Sequence, residues 1–521
     1  MTPNPGEECQ SSLPRRYAFK VLSNAVSLLS SFSISGLVPR ALGIEVFGNY
    51  GFLTTVFQQV ATLLDFRTST YLFVRLSQAR EEKTLLVFYA RYIVALSGAF
   101  LLTTAVLTFS PVRNILLPNQ ATEYILLAAS MMLVLWVLNV ATSVMDAYGS
   151  TVALEKARIA NRLVVVASIG LLYNYRALSF KTYVVCQLSL ALSMLIFVIF
   201  FMSRNVCRFR RLGRLPRQAY LQYGREFFLY SYPLFGYTML GFLSEIFDRW
   251  LLQTLAGSRA QGVYSFAFGL MSPAFMFIAA MQPLMIREMS IAAQENDRKL
   301  MGHLYERTFP LLFAITAYFS AFLIISADQV VEMFGGAEYS AAAPVLRVLM
   351  FFPLIHVFAS LNISVMLGTR KTGVFLVLAL VLTPIGSSCL YLLLSKSFLG
   401  LGAVGLAIKG VAAESCSVVV LCYLISRLLG IRFVLPIVQG LYIVPFLGIA
   451  LSARHLADTL CSPQGRIVGF FVSGVIYSGL MLCMLAFVPF VLGVSRKSIN
   501  DGWQLVQTHY GRGRERRDAT N

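Results

Sequence analysis

Long apolar runs separated by short polar connections dominate the chain. A helix of about 20 mostly apolar residues crosses the roughly 30 Å of hydrocarbon in a bilayer. Fourteen runs meet that requirement, near residues 18–40, 47–75, 85–109, 124–148, 159–175, 180–202, 227–253, 263–286, 304–327, 343–366, 374–394, 403–427, 436–457 and 467–492. The run at 159–175 is short, and the last two carry no charge that marks a function. The first follows Arg15, Arg16 and Lys20 but lacks a convincing small-residue cleavage site, so it reads as a retained helix rather than a removed signal. The longest polar segments, 203–226 and 494–521, are arginine-rich and too short to form soluble domains. An even number of spans places both termini on one side.

Composition narrows the class. The chain has 521 residues, of which 57 % are hydrophobic and 13 % charged, and its mean hydropathy is +0.71. Soluble domains carry about 25 % charged residues, and disordered chains lack this much Leu, Val and Phe. An all-α polytopic membrane protein remains. Its 43 Lys and Arg against 24 Asp and Glu give a formal charge of +19. With the N-terminus cytoplasmic, the inside segments collect Arg80, Lys83, Lys156, Arg158, the run from Arg204 to Arg225, Arg370, Lys371 and the basic tail. The other side holds only a scatter such as Arg40, Arg113, Arg176, Arg259 and Lys396. This positive-inside bias predicts cytoplasmic termini. It also accounts for the charge without nucleic acid, because the basic Gly511–Arg517 stretch suits anionic lipid phosphate. The eight cysteines show no CxxC spacing or Cys/His cluster and read as small buried hydrophobes.

An internal repeat bears on mechanism. Gly43-Ile-Glu-Val-Phe-Gly48-Asn-Tyr50 returns as Gly257-Ser-Arg-Ala-Gln-Gly262-Val-Tyr264, and Glu123-Tyr124 returns at nearly the same offset as Glu338-Tyr339. Equivalent positions lie six spans apart, which predicts two parallel, pseudo-symmetric six-helix bundles with substrate held between them. The expected organisation is a first bundle over 1–202, a basic linker over 203–226, a second bundle over 227–430, two appended helices over 431–493 and a basic tail over 494–521.

The stretches Val38-Pro-Arg-Ala-Leu-Gly43 through Gly51, Leu63-Leu-Asp65, Asp248-Arg-Trp-Leu-Leu-Gln through Ala267, and Val331-Glu-Met-Phe-Gly335 through Arg347 resemble the polysaccharide and oligosaccharide flippases (Wzx type) of the multidrug/oligosaccharidyl-lipid/polysaccharide (MOP) superfamily. Where the family's second helix reads Asp, apolar residue, Gly, this chain reads Asp65-Phe66-Arg67. The resemblance implies a MATE-like fold with a V-shaped central cavity. It implies no enzyme activity, but movement of an undecaprenyl-pyrophosphate-linked glycan between leaflets of the bacterial inner membrane, coupled to H+ or Na+. Polysaccharide polymerase and chain-length machinery are its implied partners. A peptidoglycan lipid-precursor flippase, a multidrug or cation antiporter of the same fold, and a membrane-embedded glycan polymerase are the competing readings.

Charges inside the bilayer cost roughly 2.5–3.5 kcal/mol each at a helix centre, so they are expected to line a cavity or to pair. The candidates for holding a pyrophosphate are Arg67, Arg91, Arg249 and Lys409, since a guanidinium clamps phosphate bidentately and keeps its charge. Asp65, Glu245, Asp248 and Glu414, with the mid-span His356, are the candidates for ion coupling or for structural salt bridges. Asp146, Arg162 and Arg347 also fall in or beside spans; snorkelling to the interface is the competing reading for Arg162 and Arg347 and equally for Arg91, which lies about two turns from the cytoplasmic end of its span. Lys409 and Glu414 are five residues apart and are expected to meet partners on other helices. Pro233, Pro273, Pro353 and Pro384 are candidate kink sites. No phosphate-binding loop, metal-ligand cluster or nucleophile–base pair stands out.

Overall fold

The computed structural model describes residues 13–487 except 67, 70–71, 73–74, 77–82, 149, 206–216, 370, 372, 430–439 and 461–465. Arg67, most of the arginine-rich linker and the basic tail therefore lie outside the described residues. No strand occurs among the described residues. The long helices are α1 (Leu13–Leu42), α2 (Ile44–Asp65), α3 (Lys83–Phe109), α4 (Thr122–Ala147), α5 (Thr151–Asn174), α6 (Phe180–Asn205) and α7 (Arg217–Met271). They continue with α8 (Met276–Gln294), α9 (Arg298–Ile325), α10 (Phe351–Gly368), α11 (Gly373–Leu394), α12 (Gly402–Leu429), α13 (Ile443–Leu460) and α14 (Arg466–Phe487). Eleven described segments are long and apolar enough to span a membrane, and one of them, Thr238–Gln294, runs through two predicted spans. Helices α2 and α5 fall outside that set because they carry too many polar groups, among them Gln58, Asp65, Glu155, Arg158 and Arg162.

Two boundaries differ from the sequence expectation. The second predicted span ran to residue 75, but Phe66 adopts a left-handed conformation (φ 48°) and ends α2 at Asp65. The fifth was expected to start at 159, yet α5 begins at Thr151, because the charged residues assigned to a loop are helical. Of the described cysteines only Cys422 is buried. Cys389, Cys416 and Cys483 are exposed, since an apolar thiol also suits a helix face turned to lipid.

The chain forms two compact units, residues 1–270 with 334–342 and 375–409, and residues 271–333 with 343–374 and 410–521. In the first unit α1 packs on α5, α4 packs on α6, α2 and α3, and α5 packs on α6. Both copies of the glycine repeat belong to this unit, and they touch. Gly43 (φ 75°, ψ 165°) and Gly257 (φ 81°, ψ 177°) adopt the same positive-φ conformation at the start of their helical segments, which side chains with a Cβ rarely tolerate. Beyond these turns the backbones close to contact. A Cβ on Gly48 would fall on the Ser258 carbonyl oxygen, and a Cβ on Gly262 would fall on the Ile44 carbonyl oxygen. Asn49 Oδ1 fastens the same seam, accepting from Ser258 Oγ at 2.7 Å, Gln120 Nε2 at 2.9 Å and Gln253 Nε2 at 3.4 Å. Glu338 Oε1 accepts the Ile44 amide at 3.1 Å, and the buried Tyr339 hydroxyl donates to the Pro39 carbonyl. Its repeat partner behaves differently, with Glu123 paired to Lys181 and Tyr124 stacked on Phe180 at 3.8 Å.

In the second unit α8 packs on α10 and α9, and α9 packs on α10 and α13. The helix pair α13–α14 is tied to α9 by a stack of Tyr318 on Tyr477 (5.0 Å), by the Tyr477 hydroxyl donating to the Tyr318 carbonyl, and by Arg454 donating to the Ile325 carbonyl at the end of α9. A cation at that position also complements the helix dipole.

The glycine seam predicts an asymmetric response to one added methyl. Gly48→Ala is expected to destabilise by about 1–3 kcal/mol through overpacking. Gly98→Ala in α3, where nothing lies within 4 Å, is expected to be neutral or slightly stabilising. Melting temperatures of the two purified variants in detergent check this, and equal melting temperatures would refute the close contact.

Candidate functional site

Glu245, Asp248 and Arg249 follow i, i+3, i+4 spacing on α7 and so share one helix face. Lys409 reaches that face from α12. Its Nζ donates to Asp248 Oδ2 at 2.5 Å, with the two side chains 9 % and 13 % exposed. Gly386 of α11 leaves room for the lysine stem, since a Cβ there would stand 3.0 Å from Lys409 Cε. The Arg249 guanidinium is buried 4.5 Å from the ring centroid of Tyr264 and 5.8 Å from that of Phe268. It donates to Ser265 Oγ at 3.4 Å and lies 3.7 Å from Glu245 Oε1. Desolvated aromatic faces hold a guanidinium by the ring quadrupole, at about 2 kcal/mol. Asp248 Oδ1 is buried and has no hydrogen-bond partner among the described residues. Two carboxylates and two cations thus form a cluster that is neutral when all four are ionised.

The other predicted residues are distributed separately. Arg91 is exposed on α3 and donates to the Tyr220 hydroxyl, its guanidinium 5.9 Å from that ring. Asp65, at the end of α2, accepts from Ser69 Oγ at 2.7 Å and Trp136 Nε1 at 3.4 Å. In the second unit His356 Nδ1 and Glu414 Oε1 are 2.8 Å apart, beside the rings of Phe275 and Phe352. Lys409 and Glu414 therefore do meet partners on other helices. Arg347 pairs with Asp328 at 2.5 Å on a partly exposed surface. Among the described residues, no group of three or more His, Cys, Asp or Glu is placed to hold a metal ion.

Sequence reasoning missed a polar cavity of about 590 Å³ inside the first unit, lined by α1, α2, α4, α5 and α6. Arg158 donates to the buried Glu155 at 2.7 Å on its wall, and Arg162 also lines it. The signal was present. Glu155, Arg158, Arg162 and Val165 on α5 and Gln187, Leu190, Ala191 and Met194 on α6 repeat at the spacing of one helix face. A search for charges alone passes over the α5 face because it assigns Arg158 to a loop and Arg162 to snorkelling, and over the α6 face because its one polar group, Gln187, is neutral.

A family model described as polysaccharide biosynthesis protein matches residues 17–285, more than half of the chain. The chain belongs to that family. It is thereby a MOP-superfamily flippase, a multi-pass membrane transporter rather than an enzyme. No curated relative matches it by sequence. Among solved structures, the lipid II flippase MurJ in an inward closed conformation aligns with a TM-score of 0.66 at 13 % identity, over 91 % of this chain and 99 % of that one. An inward-facing multidrug resistance MATE family transporter of the MOP superfamily aligns with a TM-score of 0.64 at 15 % identity, over 81 % and 98 %. A MOP superfamily transporter from Pyrococcus furiosus aligns with a TM-score of 0.54 at 15 % identity, over 80 % and 93 %. At these identities the likeness is one of fold, and the fold of this family member is the all-α MOP fold expected from the sequence.

Breaking a buried ion pair by removing one partner leaves the other charge uncompensated and costs about 3–5 kcal/mol, whereas replacing both partners with apolar residues is close to neutral. Lys409→Met alone is accordingly expected to lower the melting temperature well below that of the Asp248→Leu, Lys409→Met double variant. Equal destabilisation in single and double variants would show that the pair is not coupled.

Proposed function

We propose that this family member moves an undecaprenyl-pyrophosphate-linked oligosaccharide repeat unit across the inner membrane by alternating access. In this reading the six-helix halves rock about a central path, both termini are cytoplasmic, and downstream polymerase and chain-length machinery receive the product. The observation that carries it is the burial of Arg249 and Lys409 in one unit of a flippase-family protein. A pyrophosphate needs cations that stay charged away from water, and arginine cannot lose its proton there. Arg249 is held mainly by aromatic faces, with Ser265 Oγ at 3.4 Å and its carboxylate partner at 3.7 Å, so most of its five donors can be recruited by phosphate. Lys409 becomes available when Asp248 takes up an ion. Asp248 Oδ1, which has no hydrogen-bond partner among the described residues, supports the choice of that carboxylate as the proposed proton or sodium acceptor. Arg67 and Arg91 are proposed as further cations on the path, and Asp65, Glu245, Glu414 and His356 as its locks or relays.

The test follows leaflet access of a fluorescent lipid-pyrophosphate oligosaccharide in proteoliposomes under imposed proton or sodium gradients. Arg249→Ala is expected to slow translocation roughly ten- to hundredfold, the worth of a charge-assisted contact, with Arg249→Lys intermediate. Transport of lipid II in place of the oligosaccharide lipid would reassign the substrate to peptidoglycan synthesis. Export of a cationic drug with no lipid movement would replace the flippase reading by an antiporter.

A further inference from the structure

We propose that the polar cavity of the first unit is a sugar-binding subsite that takes one or two residues of the glycan. This rests on the reading of the substrate as a lipid-linked glycan. The cavity's volume of about 590 Å³ falls within the roughly 300–1,000 Å³ of small-molecule sites. Five side-chain amides line it, those of Asn24, Gln58, Asn139, Asn161 and Gln187. Each presents a donor and an acceptor side by side, the pattern that neighbouring sugar hydroxyls also present.

Few of these groups are used within the protein. Among the described residues, the hydrogen bonds between side chains at this lining are Arg158 to Glu155, Gln187 to the Tyr183 hydroxyl and Trp136 to Asp65. The amides of Asn24, Gln58, Asn139 and Asn161 are left to whatever fills the cavity. In hydrocarbon such groups cost several kcal/mol unless they face a polar filling. That cost disfavours an acyl chain against these four amides.

A cation is disfavoured as well. The one carboxylate of the lining, Glu155, is 2 % exposed and already held by Arg158. The two arginines suit a hydrogen-bond acceptor, which leaves a hydroxylated ligand, alone or with an attached phosphate, as the chemistry that satisfies the polar part of the lining, while Trp136, Leu135 and Leu190 offer apolar surface to the face of a sugar ring. Position agrees with entry of substrate from the side where the N-terminus lies. Asn24 is in the first half of α1, Gln58 in the second half of α2, Asn139 in the second half of α4 and Asn161 in the first half of α5, so four of the five amides gather toward one end of the bundle, while Gln187, in the first half of α6, stands nearer the other.

The test uses full-length protein in nanodiscs. Trp136 lines the cavity, and with Trp250→Phe and Trp503→Phe it becomes the sole indole of three. Its emission is titrated with undecaprenyl pyrophosphate carrying no sugar, one glucose, one N-acetylglucosamine or a short oligosaccharide. At least one sugar-bearing lipid is expected to bind about tenfold more tightly than the sugar-free lipid. Gln58→Leu and Asn139→Leu are each expected to erase that difference while leaving affinity for the sugar-free lipid unchanged. Thr62→Val, on the same wall of α2, carries the test where Asn139→Leu fails to fold. Equal affinities in the parent protein, or a preference that survives these substitutions, overturns the subsite and leaves the flippase reading standing. Failure of every lipid to bind overturns both.

Discussion

The first unit depends on the approach of two backbones at Gly48 and Gly262. In a bilayer the lipid tails are as apolar as leucine, so helices are not driven together by the hydrophobic effect and must gain from close packing and hydrogen bonds. Each glycine lets the facing segment's carbonyl into the space a methyl would fill, and Asn49 gathers three donors along the same line. The contact reaches the charge cluster. Gly51 lies against Ser265, which accepts from Arg249, and Tyr264 next to it supplies the ring beneath the guanidinium. Backbone proximity at one end of the repeat thus fixes where a buried cation stands.

Much of this was legible because hydrophobic runs and glycine spacing are properties of the chain itself. Each of the fourteen apolar runs contains helix, and the repeat at Gly43 and Gly257 marks two turns of matching geometry. Their mutual contact was not legible, since two copies of a motif do not say that they face each other. The limits of α2 and α5 were misjudged for opposite reasons. Apolar residues after Asp65 suggested continuation where Phe66 turns the chain, and charges before residue 159 suggested a loop where α5 has already begun. Pairing of Asp248 with Lys409 and of His356 with Glu414 required positions on separate helices, which spacing within one helix cannot supply.

Two kinds of polar interior coexist in the first unit. The charge cluster is compact and internally paired, with Asp248, Arg249 and Lys409 largely out of water and Glu245 at its exposed edge, so it is specific and costly to disturb. The cavity is roomy and mainly neutral, with its single ion pair on the wall. Charge reading finds the former because intramembrane ionisable groups are rare. The latter is written in Asn, Gln, Ser and Thr, which alone suggest nothing in particular and gain meaning only when several helices turn them toward the same space.

The Asp248–Lys409 pair has an electrical consequence. A charge carried across a membrane gains or loses about 2.3 kcal/mol per 100 mV. The pair as found has no net charge, so a potential exerts no net pull on it. An anion that captures the lysine leaves the aspartate unbalanced unless a cation arrives with it. Substrate entry at this point would then be a voltage-sensitive event, even though the protein's own charges cancel.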